Sequence, residues 1–115
     1  MDSAKELLDD LSGPGRSLRK LIPGVYAGFA DIGTATMIDG ALSLTVKELM
    51  ALAISVTREC DGCVAAHARG AWQAGATEVE VAEALGVAIF LNGGPGTVWA
   101  ARAFAAFQEF SASEA

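Results

Sequence analysis

Thr77-Glu78-Val79-Glu80-Val81-Ala82-Glu83-Ala84-Leu85-Gly86-Val87-Ala88-Ile89-Phe90-Leu91 reads as a helix from its first residue. Thr77-x-x-Glu80 matches a capping box, in which hydroxyl and carboxylate satisfy each other's free backbone N–H groups. No proline interrupts the run from Glu78 to Leu91, and alanine and leucine favour helix. Between Val81 and Leu91 the only charge is Glu83, so this helix is apolar nearly all round and calls for burial on every side. A chain of 115 residues has little interior in which to surround a helix. The Ala-rich stretch from Val98 to Phe107 carries Trp99, Phe104 and Phe107. These two helices together predict a self-associating surface; a tightly packed monomer core is the alternative.

The rest of the chain reads the same way. Ala fills 23 of the 115 positions, and no alternating β-branched run competes with helix. A first helix is expected from about Ser3 to Leu11, stopped by Gly13-Pro14-Gly15. A second begins near Ile22-Pro23, where proline suits the first turn, and runs to about Ile38 before Asp39-Gly40. A third starts at Thr45, with Thr45-x-x-Glu48 as a further capping box, and reaches about Arg58. A fourth takes Asp61 as N-cap and Gly75 as its C-terminal stop. The sixth comes after Pro95-Gly96 and ends near Phe110, with Asn92-Gly93-Gly94-Pro95 read as the turn before it. The expectation is one all-α domain over residues 1–115, a compact bundle of about six short helices in an oligomer.

Composition excludes several classes. Hydrophobic residues make up 52% and charged residues 19%, which is incompatible with intrinsic disorder. A net charge of −6 argues against nucleic acid or an anionic membrane as partner. Met1–Asp10 is too acidic for a secretory signal, and Asn92–Gly96 breaks the longest uncharged stretch, so a cytoplasmic protein is expected. Two cysteines are too few for a disulfide-stapled secreted scaffold.

Chemistry concentrates in one place. Cys60-Asp61-Gly62-Cys63-Val64-Ala65-Ala66-His67 holds both cysteines and the only histidine within eight residues. At about 100° per residue, positions 60, 63 and 67 share one side of a helix. Cys63 and His67 form an i, i+4 pair, so the imidazole can take the thiol proton or stabilise the thiolate. Cys63 also falls in the first helical turn, where free N–H groups favour an anion, and the thiolate is the reactive form.

Four readings compete. One is a redox-active dithiol with His67 as its base. A second is zinc held by two thiolates and one imidazole, but a fourth ligand of the Cys or His type is missing, and a helical Cys60 would stand about 10 Å along the axis from His67. Covalent haem attachment needs histidine directly after the second cysteine, where Val64 stands. The last is a structural disulfide, which on so short a loop contributes only about 2 kcal/mol. Redox chemistry makes the best use of these residues. Glu48 has a complete explanation as a capping residue; if the third and fourth helices pack as a hairpin, it also reaches His67 and handles its proton. Trp72 and Trp99 read as core anchors, and the first forty residues contain nothing that suggests catalysis.

Glu48, Cys60-x-x-Cys63 twelve positions on and then His67 resemble the signature of the alkylhydroperoxidase D-like, carboxymuconolactone decarboxylase family. The flanks agree, Leu44–Ala53 before the cysteines and Gly75–Leu85 after them, and the likeness covers about Gly40 to Phe107, more loosely from Tyr26. The resemblance implies an all-α fold in homo-oligomers, frequently hexamers, and a thiol peroxidase mechanism. In it Cys63 attacks a hydroperoxide and becomes a sulfenic acid, Cys60 resolves it as a disulfide, and Glu48 and His67 relay protons. A thiol or dihydrolipoyl group on a partner is the electron donor, and no cofactor or metal is implied. The best-studied peroxidases are longer and hold a second histidine where this chain has Gly62; the decarboxylase branch lacks the cysteine pair. A lyase acting on a small lactone or carboxylate through Glu48 and His67, and a non-enzymatic metal-binding oligomer, are the alternatives.

Overall fold

In the computed structural model, which describes residues 3–113, the helical segments are α1 (Ala4–Leu21), α2 (Pro23–Thr36), α3 (Leu44–Thr57), α4 (Asp61–Gln73), α5 (Glu78–Asn92) and α6 (Gly94–Ser113). There is no strand among the described residues. None of these helices is long and apolar enough to cross a membrane.

α4 lies at the centre. Val64, Ala65, Ala68 and Ala71 recur at helical spacing and are 0% exposed. Their small side chains let α1, α3 and α6 all pack closely on this one helix. Leu52 and Val56 of α3, Val81 of α5, and Phe107 and Phe110 of α6 fill the space between, with Trp72 and Trp99 packed against that core. Burying each large apolar side chain contributes about 1.5–3 kcal/mol. α5 and α6 turn back on each other at Gly93, whose φ is +70°. A methyl group on Gly96 would meet Ile89 Cα at 3.1 Å and the Ala88 carbonyl oxygen at 3.2 Å, so glycine is what allows this close start.

Helix ends reflect side-chain chemistry, with four departures from the local reading. One is at α6, which starts at Gly94 inside the stretch Asn92–Pro95 read as a turn, so that Gly93 alone separates it from α5. α5 carries the full capping box: Glu80 N–H donates to Thr77 Oγ1 and Thr77 N–H donates to Glu80 Oε1. At α3 the same pattern goes unused. Ser43 is the N-cap, accepting from Val46 N–H, while Thr45 Oγ1 donates to the Ala74 carbonyl and Glu48 turns to His67. At α4 the cap is Cys60 rather than Asp61. α1 continues through Gly13-Pro14-Gly15 to Leu21. Asp10 and Pro14 are both exposed, so water can serve the carbonyl that proline leaves unpaired. α1 then ends with Arg19 and Lys20 in its last turn, where cations suit the helix dipole.

The start of α1 is held from a distance of over a hundred residues. The Glu109 carboxylate accepts from Ala4 N–H (2.9 Å), Lys5 N–H (3.0 Å) and the Ser3 hydroxyl (3.0 Å). Burial pushes this carboxyl up, but the Lys5 and Ala4 amides, the Ser3 hydroxyl and the Lys5 charge outweigh it and hold Glu109 below the usual carboxylate range. The folded value is the depressed one, so this stabilisation is complete above the ordinary carboxylate value and is lost as pH falls through the lowered one. Glu109→Gln is expected to cost about 1 kcal/mol at neutral pH and to flatten the acid limb of the stability curve, as chemical denaturation at a series of pH values would measure.

Apolar surface is left uncovered on several helices, including Leu21 of α1 and Ile54 of α3, and is densest on α5 and α2. α5 buries the stripe Val81, Leu85 and Ala88, but Val87, Phe90 and Leu91 stand outside, with Phe90 86% exposed. The burial on every side expected for this helix is therefore not met within one chain, because only a single stripe faces α3 and α6. α6 turns Phe107 and Phe110 into the core instead of outward. α2 buries none of its residues and exposes Val25, Phe29 and Ile32, with Phe29 at 76%.

Candidate active site

The site is built on the α3–α4 hairpin. α3 ends in a Schellman arrangement: Glu59 N–H donates to the Val56 carbonyl and Cys60 N–H to the Ser55 carbonyl. Glu59 takes the left-handed conformation (φ +52°) that this motif requires and that glycine usually supplies. Cys60 thus closes one helix and opens the next, with its Sγ accepting from Cys63 N–H at 3.2 Å. Two helices joined by three residues run antiparallel, and the Thr45–Ala74 hydrogen bond ties the start of α3 to the end of α4.

That register brings Glu48 to His67. Glu48 Oε2 lies 2.9 Å from His67 Nδ1, with the Glu48 side chain 13% and the His67 side chain 35% exposed. An ionised carboxylate can only accept, so in this contact Nδ1 is the donor, which in a neutral ring makes Nε2 the acceptor nitrogen. Glu48 is therefore a partner of the histidine and not a helix cap. One turn earlier on α4, Cys63 is joined to Cys60 by a disulfide with Cα atoms 5.2 Å apart. Cys63 is exposed and Cys60 half-buried.

The four candidate residues are thus gathered on two adjoining helices, with one refinement. The open amide of the first turn of α4 serves the sulfur of Cys60, because Cys63 is itself the third residue of that helix and donates its N–H. The opening forty residues also contribute more than expected. Leu11 of α1 packs at Gly62 between the cysteines, its Cδ1 3.3 Å from where a Cβ would be. A larger residue at 62 would press on α1, so α1 covers the site from one side. An Ala-rich core face on the fourth helix was the available signal, since such a face needs neighbours on several sides.

The carboxymuconolactone decarboxylase family's sequence profile matches residues 23–106, and the chain belongs to that family. The matched span takes in α2 as well as the cysteine hairpin. An apo carboxymuconolactone decarboxylase family protein from Legionella pneumophila superposes with a TM-score of 0.92 at 36% identity, covering 96% of this chain and 99% of that one. A Thermotoga maritima protein superposes with a TM-score of 0.74 at 28% identity, over 86% and 93%. An uncharacterized protein of Cupriavidus necator is 34% identical over 108 residues, 94% of this chain and 96% of that one.

Proposed function

We propose that this chain is a dithiol peroxidase, an antioxidant disulfide oxidoreductase of the alkylhydroperoxidase D-like type. The observation that carries this reading is the Cys60–Cys63 disulfide set one helical turn from a hydrogen-bonded Glu48–His67 pair. In the reduced state the exposed Cys63 thiolate attacks the terminal oxygen of a hydroperoxide, breaking the O–O bond. The products are Cys63 sulfenic acid and an alkoxide, which takes a proton delivered through His67 and leaves as the alcohol. Cys60 sulfur then attacks the Cys63 sulfur, expelling hydroxide that becomes water and forming the disulfide.

Reduction runs through the same two sulfurs. A thiolate of a dithiol donor, such as a dihydrolipoyl group, attacks the accessible Cys63, and Cys60 departs as thiolate. The Cys63 N–H beside it favours that negative charge, and a stabilised leaving thiolate leaves faster. The donor's second thiol then displaces Cys63 and carries off both electrons as the donor disulfide. The test is stoichiometric. Fully reduced protein titrates two thiols, and one equivalent of an organic hydroperoxide is expected to remove both and yield one equivalent of alcohol. Persistence of both thiols would end the proposal. Turnover of a small lactone by protein alkylated at both cysteines would favour the lyase reading instead.

The functional unit in this reading is a homo-oligomer, a hexamer by family analogy, closed through α2 and the outer face of α5. The exposed Val25, Phe29 and Ile32 of α2 and Val87, Phe90 and Leu91 of α5 support it, since apolar side chains this large and this close together mark association surfaces. Phe29→Glu combined with Phe90→Glu is expected to convert the assembly to monomer in sedimentation velocity; unchanged sedimentation would exclude these faces.

A further inference from the structure

Gly70 lies three positions after His67 on α4, on the side that faces Glu48. A Cβ on its backbone would stand 2.6 Å from Glu48 Cδ and 2.8 Å from Oε1, with Oε2 nearer still. Real carbon atoms do not approach so closely. The Glu48 carboxylate fills the volume that any side chain at position 70 would occupy. Its nearly buried side chain thus lies between bare α4 backbone on one side and the His67 ring on the other.

We propose that Gly70 is a positioning residue: its missing side chain reserves the slot from which Glu48 holds His67. The consequence for turnover rests on the proposed proton relay through Glu48 and His67, whereas the effect on the ring does not. Two facts separate this role from a structural one. The atoms a methyl group would strike are the far end of a flexible side chain, not backbone, so the carboxylate is what yields. Glycine inside a helix is also less stable than alanine. A helix-weakening residue stands where alanine would strengthen α4, and the feature it accommodates is the Glu48–His67 contact. A local rule broken beside a reactive group is the pattern expected of function.

The experiment compares wild type, Gly70→Ala, Glu48→Ala and the double variant, all reduced. His67 is the only histidine in the chain, so its imidazole nitrogen resonances are unambiguous. With the ring neutral, wild type should hold its proton on Nδ1, and Gly70→Ala should shift it to Nε2 as Glu48→Ala does. The thermal midpoint of Gly70→Ala should be unchanged or higher. Hydroperoxide oxidation of Cys63 should slow about tenfold in Gly70→Ala, and Gly70→Ala should add nothing once Glu48 is already alanine. A wild-type tautomer in Gly70→Ala, a lowered midpoint, or additive losses in the double variant would each overturn the assignment. A shifted tautomer with unchanged oxidation rates in both single variants would keep Gly70 as the positioning residue and remove the proton relay.

Discussion

Cys63→Ser is expected to lower hydroperoxide consumption by about three orders of magnitude or more, because a hydroxyl at this position has neither the acidity nor the nucleophilicity of a thiol. The substitution is close in size and the residue is exposed, so stability should match that of the reduced wild type, with only the small contribution of the short disulfide lost. Cys60→Ser should behave differently. Its Cys63 can still attack peroxide once, but no second sulfur remains to resolve the product, so a single turnover is followed by an accumulating sulfenic acid. Trapping with a dimedone-type reagent and intact-mass measurement would show the adduct on Cys63. Full activity in Cys63→Ser would remove the thiol mechanism altogether. An adduct on Cys60 in the Cys63→Ser protein, with none in Cys60→Ser, would exchange the roles of the two sulfurs.

The second large effect concerns the proton path. His67→Ala is expected to reduce the rate of Cys63 oxidation by about 100-fold or more, in the range that general acid–base groups contribute. Glu48→Gln should cost about 10- to 100-fold, since the amide fills the same slot beside Gly70 but brings no anion to Nδ1. Stopped-flow measurement of single-turnover oxidation separates this step from reduction by the donor. If both variants oxidise at the wild-type rate, the hydrogen-bonded pair orders the hairpin and takes no part in the chemistry.

Much of the fold was legible because it depends on local grammar. Thr77 and Glu80 cap α5 reciprocally, Pro23 opens α2 and Gly75 (φ +89°) comes just after the end of α4, all on short-range chemistry. The local reading fails where a distant partner outcompetes a near one. Thr45 and Glu48 carry the same capping pattern as Thr77 and Glu80, but Ser43 already serves the helix start, freeing both for Ala74 and His67. Pro14 reads as a breaker until the chain is seen to place it on water, on a helix anchored by Glu109. Around the site, the reactive residue types and their spacing were visible in sequence. Gly70 was not, since the space a glycine leaves acquires meaning only when Glu48 is found in it.

Cys60 stands at a hinge of two helices and also inside the bond that each catalytic cycle would make and break. Its sulfur accepts from the Cys63 amide in the disulfide, and the same amide is expected to meet it when set free, since a thiolate carries more negative charge and is the better acceptor. Opening the bridge therefore leaves the hairpin's corner furnished. On the proposed cycle the two redox states should therefore share the scaffold that carries His67, and amide exchange at the start of α4 should differ little between them.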